Sequence, residues 1–128
     1  MTAQRGELWL VDLGMAAKVR PAAVVSVPAD DADRALVTIV PHTATARNSR
    51  FEVAMAVPVL RPGVFDAQNL ITIPHAKLVR KLGRLNPGQL VAIERGLRKW
   101  LPRRVPMANG MPAETRAART STEEERPA

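Results

Sequence analysis

Cysteine is absent from this chain of 128 residues. Its absence excludes disulfide bridges, thiolate metal sites and a cysteine nucleophile. His42 and His75 are the only histidines, and neither has a second histidine close enough in the sequence to complete a metal site. The chain also lacks a GxSxG motif and a glycine-rich phosphate loop. We therefore expect a protein that uses neither a metal ion nor a cofactor.

Aromatic residues and long apolar runs are also scarce. With two Trp, two Phe and no Tyr, the core must be filled mainly by Val, Leu, Ile and Ala. No run approaches the roughly 18 apolar residues that a membrane helix needs, so no membrane association is expected. Residues 1–9 contain Arg5 and Glu7 and do not resemble a secretion signal. Together with the lack of cysteine, these features predict a cytoplasmic protein.

Positive charge is in excess, with a formal net charge of +7. The segment after Leu101 holds five Arg and four Glu and contributes only +1, so +6 lies on residues 1–101. Such a balance favours polyanionic partners, nucleic acid first. Charge alone does not distinguish a nucleic-acid-binding surface from a solvated basic one.

Most of the chain before residue 86 has the pattern of short β-strands. Apolar or alternating stretches predict strands over 6–13, 22–27, 35–40, 51–57 and 69–73. Pro21 is expected to open the second strand and Pro41 to close the third. Residues 75–82 predict a short helical turn followed by another strand. Polar loops are expected over 28–34 and 43–50.

The last predicted element is a helix that begins at Pro87 and is capped by Asn86. Its apolar residues recur at helical spacing on one face, which we expect to pack on the sheet: Leu90, Ile93, Leu97, Trp100 and Leu101. Both tryptophans, Trp9 and Trp100, are expected in the core. Residues 102–128 contain four Pro and few large apolar residues, which predicts a disordered tail. The sequence therefore indicates one β-rich α+β domain over residues 1–101, with five to six strands and a C-terminal helix.

Arg20 and Thr43 stand at opposite ends of the second and third predicted strands. If these strands pair antiparallel, the two residues meet at one rim of the sheet. A guanidinium beside a hydroxyl can hold a phosphodiester and stabilise charge on its transition state. RNA supplies its own nucleophile, the 2′-hydroxyl. The residues alone leave an alternative open, in which Arg20 makes a surface ion pair and Thr43 caps a turn.

Several short motifs, in order, resemble one protein family. They are Arg5-Gly6-Glu7-Leu8-Trp9-Leu10-Val11-Asp12, Arg20-Pro21, Val40-Pro41-His42-Thr43, Asp66-Ala67-Gln68, Lys77-Leu78 and Leu82-Gly83-Arg84-Leu85. This series, over roughly residues 5–101, is similar to the MazF/PemK endoribonuclease toxins of type II toxin–antitoxin pairs. The resemblance implies a small SH3-like barrel, a homodimer, and metal-independent, sequence-specific cleavage of single-stranded RNA, with mRNA as the expected substrate. It also implies a cognate antitoxin, which we expect to offer an acidic, extended segment to the basic groove.

The resemblance implies that Arg20 and Thr43 are the catalytic pair. Arg20 would act as proton donor or acceptor and as phosphate clamp, while Thr43 would stabilise the phosphoryl oxygens. Thr45 is the alternative partner if the third strand ends later. The chain departs from the family just before Arg20, because residues 15–18 read Met-Ala-Ala-Lys and lack the acidic residue of some members.

Further residues near this pair are candidates for binding RNA: Lys18, His42, Thr45, Arg47, Asn48, Ser49, Arg50 and Gln68. Arg47 and Arg50 are expected to hold phosphates, and Asn48 and Ser49 to read base edges. A mobile basic loop is the alternative interpretation of the same residues.

Two other functions fit the sequence less well. A binding protein on the same fold, either a gyrase poison of the CcdB kind or an inactive RNA or antitoxin binder, would not need Arg20 or Thr43. A plain SH3-like interaction module needs an aromatic-lined groove, for which this chain has too few Tyr and Trp.

Overall fold

The computed structural model describes residues 2–14 and 18–102. Within these residues, seven strands and one α-helix follow one another. The elements are β1 (Glu7–Gly14), β2 (Lys18–Val24), β3 (Leu36–Thr43), β4 (Glu52–Ala54), β5 (Val64–Asp66), β6 (Ile71–Pro74), β7 (Leu78–Arg84) and α1 (Pro87–Trp100). Two 3-10 turns, Ala67–Asn69 and His75–Lys77, flank β6. The predicted disordered tail, apart from Pro102, lies outside the described residues.

The strands form an antiparallel sheet in the order β4-β5-β3-β2-β1-β7, and β6 pairs with β3 as well. This arrangement confirms the predicted β-rich class with a C-terminal helix. Within the described residues, however, no pairing joins β4 to β7, so the strands do not close into a complete barrel. None of the described helices is long and apolar enough to cross a membrane.

Both prolines that were predicted to bound strands lie inside them instead. β2 begins at Lys18 and pairs Pro21 with Leu10, while β3 continues through Pro41, which pairs with Ala22. The φ angle of proline is compatible with extended backbone, and only one ladder donor is lost at each site. The prediction of strand ends at Pro21 and Pro41 was therefore wrong.

β4 is shorter than predicted because its partner is short. It pairs only with β5, from Glu52 opposite Asp66 to Ala54 opposite Val64. β5 has no counterpart among the predicted strands and is the additional, seventh strand. The predicted turn and strand over 75–82 are confirmed by the second 3-10 turn and β7.

The sheet carries a hydrophobic core on each face, because successive side chains in a strand point to opposite sides. One core includes Trp9, Val11, Ala22, Val24 and Ile39. The other includes Leu8, Ala23, Val40, Phe65 and Ile93 of α1. The helix therefore covers one face of the sheet through Ile93 and Leu97, as its apolar spacing predicted, but Leu101 follows the helix and is 54% exposed.

Helix α1 begins with the predicted cap. The Asn86 side chain accepts a hydrogen bond from the Gln89 backbone at 2.8 Å, and the Gln89 side chain accepts one from the Asn86 backbone at 2.9 Å. Trp9 is 6% exposed, which confirms its predicted place in the core, whereas Trp100 is 41% exposed. Trp100 is the last residue of the helix and packs edge-on against Phe51 with ring centroids 5.3 Å apart.

A buried carboxylate ties β1 to β7. Oε1 of Glu7 accepts hydrogen bonds from the Gln4 backbone and from Trp9 Nε1, both at 2.9 Å. Oε2 lies 3.0 Å from Lys81 Nζ and 3.5 Å from the Arg84 guanidinium. Burial opposes ionisation of Glu7, but the hydrogen bonds from Gln4 and Trp9 and the charge of Lys81 outweigh it and lower the pKa of the carboxyl below its ordinary value.

Candidate active site

The register of β2 and β3 brings Arg20 and Thr43 together. Ala22 pairs with Pro41 in an antiparallel ladder. This pair is the last of the ladder, and the same register extended by two residues in each strand puts Arg20 opposite Thr43. Because Pro41 does not end β3, Thr43 is its last residue rather than part of the following loop. Rigid strand backbone therefore positions both residues.

Arg20 and Thr43 lie between two clefts and contribute to the walls of both. The first, which we call the polar cleft, has a volume of about 310 Å³. Its other polar walls are Thr45, Arg47, Glu52, Asp66 and Asn69. The second, which we call the apolar cleft, has a volume of about 400 Å³. Its walls include Leu10, Val19, Pro21, Val59, Leu60 and Leu82, together with His42 and Arg61.

The Thr43 hydroxyl is oriented by a backbone N–H group two residues further along the chain. Its Oγ1 accepts a hydrogen bond from the Thr45 backbone N–H at 3.2 Å, which leaves the hydroxyl hydrogen free to donate. Arg20 is partly buried, and the ion pairs found among the described residues involve other cations. Among the described residues Arg20 thus makes no surface ion pair, whereas Thr43 does cap a short turn, as the alternative interpretation has it. The pair presents donors toward the junction of the two clefts.

The loop between β3 and β4 is held by the carboxylate of Glu52. It accepts hydrogen bonds from the Arg47 backbone N–H at 2.9 Å and from the Ser49 backbone N–H at 3.2 Å. Asn48 between them has a positive φ of 62°, a conformation that asparagine tolerates. The loop has a defined shape within the described residues, and it places Arg47 and Thr45 in the wall of the polar cleft.

Residues 4–101 match the family model of the PemK-like, MazF-like toxins of type II toxin–antitoxin systems. The chain belongs to the PemK/MazF-like toxin family. The family predicted from the order of the short motifs is thus confirmed.

Solved structures share the fold of this PemK/MazF-like toxin. An endoribonuclease in complex with its cognate antitoxin, from a Mycobacterial species, is 29% identical with a TM-score of 0.69, and the match covers 81% of this chain and 99% of the other. The Mycobacterium tuberculosis toxin MazF-mt6 is 27% identical with a TM-score of 0.62, with 74% and 95% of the two chains covered. A MazE-MazF structure from Deinococcus radiodurans, 21% identical with a TM-score of 0.66 over 80% and 97% of the chains, shows the same fold.

His42 lies inside the toxin rather than on an open surface. It is 5% exposed, and its ring packs edge-on against Phe65 with centroids 4.9 Å apart. Burial disfavours the imidazolium and lowers the pKa of His42 below its ordinary value, so the ring is neutral at pH 7. It contributes a neutral polar edge to a cleft whose other walls are mostly apolar.

The remaining predicted RNA-binding residues are distributed unevenly. Asn48 and Ser49 belong to the loop held by Glu52 and do not line either cleft. The Arg50 guanidinium lies over the Phe51 ring, 4.6 Å from its centroid. The backbone of Lys18 begins β2, but its side chain, like residues 15–17, lies outside the described part of the toxin.

Around the turn after β5, the residues that line the polar cleft are not the one that was predicted from the sequence, Gln68. Gln68 is exposed and lines neither cleft, whereas Asp66 and Asn69 line the polar cleft. Glu52 is a third residue of the polar cleft that was not predicted from the sequence. No local pattern indicates these three residues, because their position depends on the pairing of β4 with β5 and of β5 with β3.

Proposed function

We propose that this toxin is a metal-independent, sequence-specific endoribonuclease that cleaves single-stranded RNA, with mRNA as its substrate. Its family and its likeness to mycobacterial endoribonucleases support this activity. It acts in the cytoplasm, where mRNA is translated. It works as a homodimer, as its family implies. It is neutralised by a cognate antitoxin, which the similar mycobacterial enzyme in complex with its antitoxin supports.

The placement of Arg20 beside Thr43, between two clefts, carries the proposal. A dinucleotide step can place one nucleotide in each cleft, so that the phosphate joining them lies against both residues. The Arg20 guanidinium then holds the phosphoryl oxygens through charge-assisted hydrogen bonds. The Thr43 hydroxyl donates to an oxygen whose negative charge grows as phosphorus becomes pentacoordinate.

The substrate supplies the nucleophile for this reaction. The 2′-oxygen forms a bond to phosphorus while the bond from phosphorus to the 5′-oxygen breaks. The 2′-hydroxyl loses its proton and the departing 5′-oxygen gains one. The products are a 2′,3′-cyclic phosphate and a 5′-hydroxyl. Arg20 and Thr43 lower the barrier by holding the phosphate in line and by stabilising its charge.

The charge of the domain supports RNA as the partner. Residues 1–101 carry a net +6, and Arg20, Arg47 and Arg61 line the two clefts. Positive charge at the clefts raises the local concentration of RNA and speeds its encounter with the site. It also favours an antitoxin that presents an acidic, extended segment.

A cleavage assay in EDTA tests the proposal. The purified toxin is incubated with a long unstructured RNA, and the ends of the fragments are mapped and analysed for cyclic phosphate. We expect discrete cuts with a cyclic phosphate on the upstream fragment, and no cut where the nucleotide before the scissile bond carries a 2′-deoxyribose. Intact RNA, accompanied by inhibition of DNA gyrase, would favour the binding-protein alternative.

A further inference from the structure

The two carboxylates of the polar cleft differ in what they can still bind. Both oxygens of Glu52 accept backbone hydrogen bonds from the loop between β3 and β4. Asp66 uses Oδ1 to accept a hydrogen bond from the Gln68 backbone at 3.2 Å. Within the described residues, Oδ2 of Asp66 and the amide of Asn69 make no hydrogen bond. Asp66 and Asn69 therefore offer the open polar groups of this cleft.

The backbone between Asp66 and Asn69 aims both side chains at the cleft. Asp66 caps the 3-10 turn Ala67–Asn69, and residues three apart in such a turn lie on the same side. The turn is anchored, because Ala67 is completely buried and its N–H donates to the Phe51 carbonyl at 3.1 Å. Gln68, between them, points away from the cleft. Asp66 and Asn69 thus form a rigid pair, one able to accept and the other able to donate.

The charge in the polar cleft makes it a poor site for phosphate alone. Two guanidiniums, of Arg20 and Arg47, are offset by the carboxylates of Glu52 and Asp66. An open carboxylate oxygen repels phosphate but accepts well from N–H donors. The volume of the polar cleft, about 310 Å³, is at the lower end of the range of roughly 300–1,000 Å³ that is typical of small-ligand sites. The mixed charge, the open acceptor and the small volume together suit a single nucleobase whose phosphate lies at Arg20.

We propose that Asp66 and Asn69 determine the cleavage specificity of the toxin by recognising a guanine in the polar cleft. This inference rests on the proposed endoribonuclease function and assigns the base on one side of the scissile phosphate. The Watson–Crick edge of guanine presents two adjacent donors, N1–H and the N2 amino group, which one carboxylate accepts together. Oδ2 of Asp66 accepts one of these donors, and Oδ1 accepts the other through the lone pair that Gln68 leaves free. The O6 of guanine accepts from the Asn69 amide. Adenine and cytosine offer a single amino donor on this edge, and uracil offers only one imino N–H.

The test compares the cut sites of the wild type with those of the Asp66→Asn variant. Asparagine retains an oxygen that caps the 3-10 turn, so the turn is preserved while the carboxylate is lost. Asp31→Asn is the matched control, because Asp31 is exposed in the loop before β3 and lines neither cleft. Each variant cuts the same RNA library, and the bases flanking every cut are counted by sequencing. Asn69→Ala supplies a second variant that leaves the cap intact.

We expect the wild type and Asp31→Asn to require guanine at one position next to the scissile bond. Asp66→Asn should lower the preference for guanine over the other bases by roughly ten-fold or more, as the loss of a bidentate base contact predicts. Asn69→Ala should lower it less. Wild-type cuts without a flanking guanine, or an unchanged profile in Asp66→Asn, would overturn the inference while leaving the endoribonuclease intact. RNA left uncut by the wild type would refute the proposed function itself.

Discussion

Arg20 and Thr43 lie just beyond the last pair of the β2–β3 ladder, and each lines both clefts of the toxin. The two residues come from strands that are well separated in the chain but adjacent in the sheet. Their side chains are therefore positioned by backbone hydrogen bonds rather than by a loop. An active site built in this way has little reorganisation to undergo before reaction.

Gly63 supports this arrangement from the turn before β5, and its replacement by alanine should move Thr43. A Cβ at position 63 would collide with the Thr43 carbonyl oxygen and lie 2.8 Å from Cε1 of His42. Because backbone must shift to accept it, we expect Gly63→Ala to lose about 1–3 kcal/mol of folding free energy. RNA cleavage should fall by more than this loss of folded protein explains. Chemical denaturation and cleavage rates measure the two effects.

Gly88→Ala is the control for this substitution. A Cβ there meets its nearest neighbour, Asn86 Oδ1, at 3.4 Å, which is ordinary contact. It should leave both stability and cleavage close to those of the wild type. A Gly63→Ala toxin with wild-type stability and rate would show that Thr43 does not depend on this close packing.

Glu52 should control substrate binding through the loop that it holds. Glu52→Ala removes the acceptor for the Arg47 and Ser49 N–H groups and frees Arg47 from its place in the polar cleft. With two hydrogen bonds of roughly 0.5–1.5 kcal/mol each at stake, we expect KM to rise about ten-fold while kcat changes less. Steady-state kinetics on a short RNA separate the two constants.

A suitable comparison for Glu52 is Asp33→Ala. Asp33 also accepts a backbone hydrogen bond within an exposed loop, from Asp30 at 2.9 Å, but lies in neither cleft. Its loss should leave KM unchanged. Equal kinetics for Glu52→Ala and Asp33→Ala would mean that the shape of the β3–β4 loop does not matter for RNA binding.

Glu7 should make stability depend on acid pH. Its pKa is lowered in the folded toxin, so its stabilising effect is complete above its unfolded pKa of about 4.5 and is lost as pH falls through the lower folded value. Glu7→Gln can keep the hydrogen bonds at Oε1 but turns an amide N–H₂ toward Lys81 and Arg84. We expect it to cost about 1–3 kcal/mol at pH 7.

Denaturation of the wild type and of Glu7→Gln between pH 7 and pH 3 measures this effect. The difference in unfolding free energy between the two proteins should shrink as the pH falls, because the wild type loses the contribution of the ionised carboxylate. A difference that stays constant down to pH 3 would show that the charge of Glu7 does not stabilise the fold.

The meeting of Arg20 and Thr43 could be predicted because it depends on two neighbouring strands with strong apolar patterns. Antiparallel pairing of consecutive strands then places their ends together. The helix cap at Asn86 could also be predicted from the sequence, because it depends only on Asn, Pro and the apolar spacing that follows. Even so, the prolines misled the assignment of strand ends, because proline fits an extended backbone when no donor is required.

The polar cleft could not be predicted, since it is assembled by long-range contacts. β5 has only three residues, too few to show a period of two. Asp66 and Asn69 reach the cleft because this short strand pairs with both β3 and β4. Trp100 illustrates the same limit, because its helical spacing matched that of the core but its ring is 41% exposed and packs edge-on against Phe51.

The cleavage rates of Arg20→Ala and Thr43→Ala, measured in EDTA on one RNA, test the central claim most directly. Arg34→Ala, an exposed arginine in the loop before β3, is the control for loss of positive charge. If Arg20 and Thr43 carry the chemistry, each variant should remain folded but cut on the order of 100-fold or more slowly, while Arg34→Ala cuts like the wild type. Folded Arg20→Ala and Thr43→Ala proteins that cut at the wild-type rate would contradict the account.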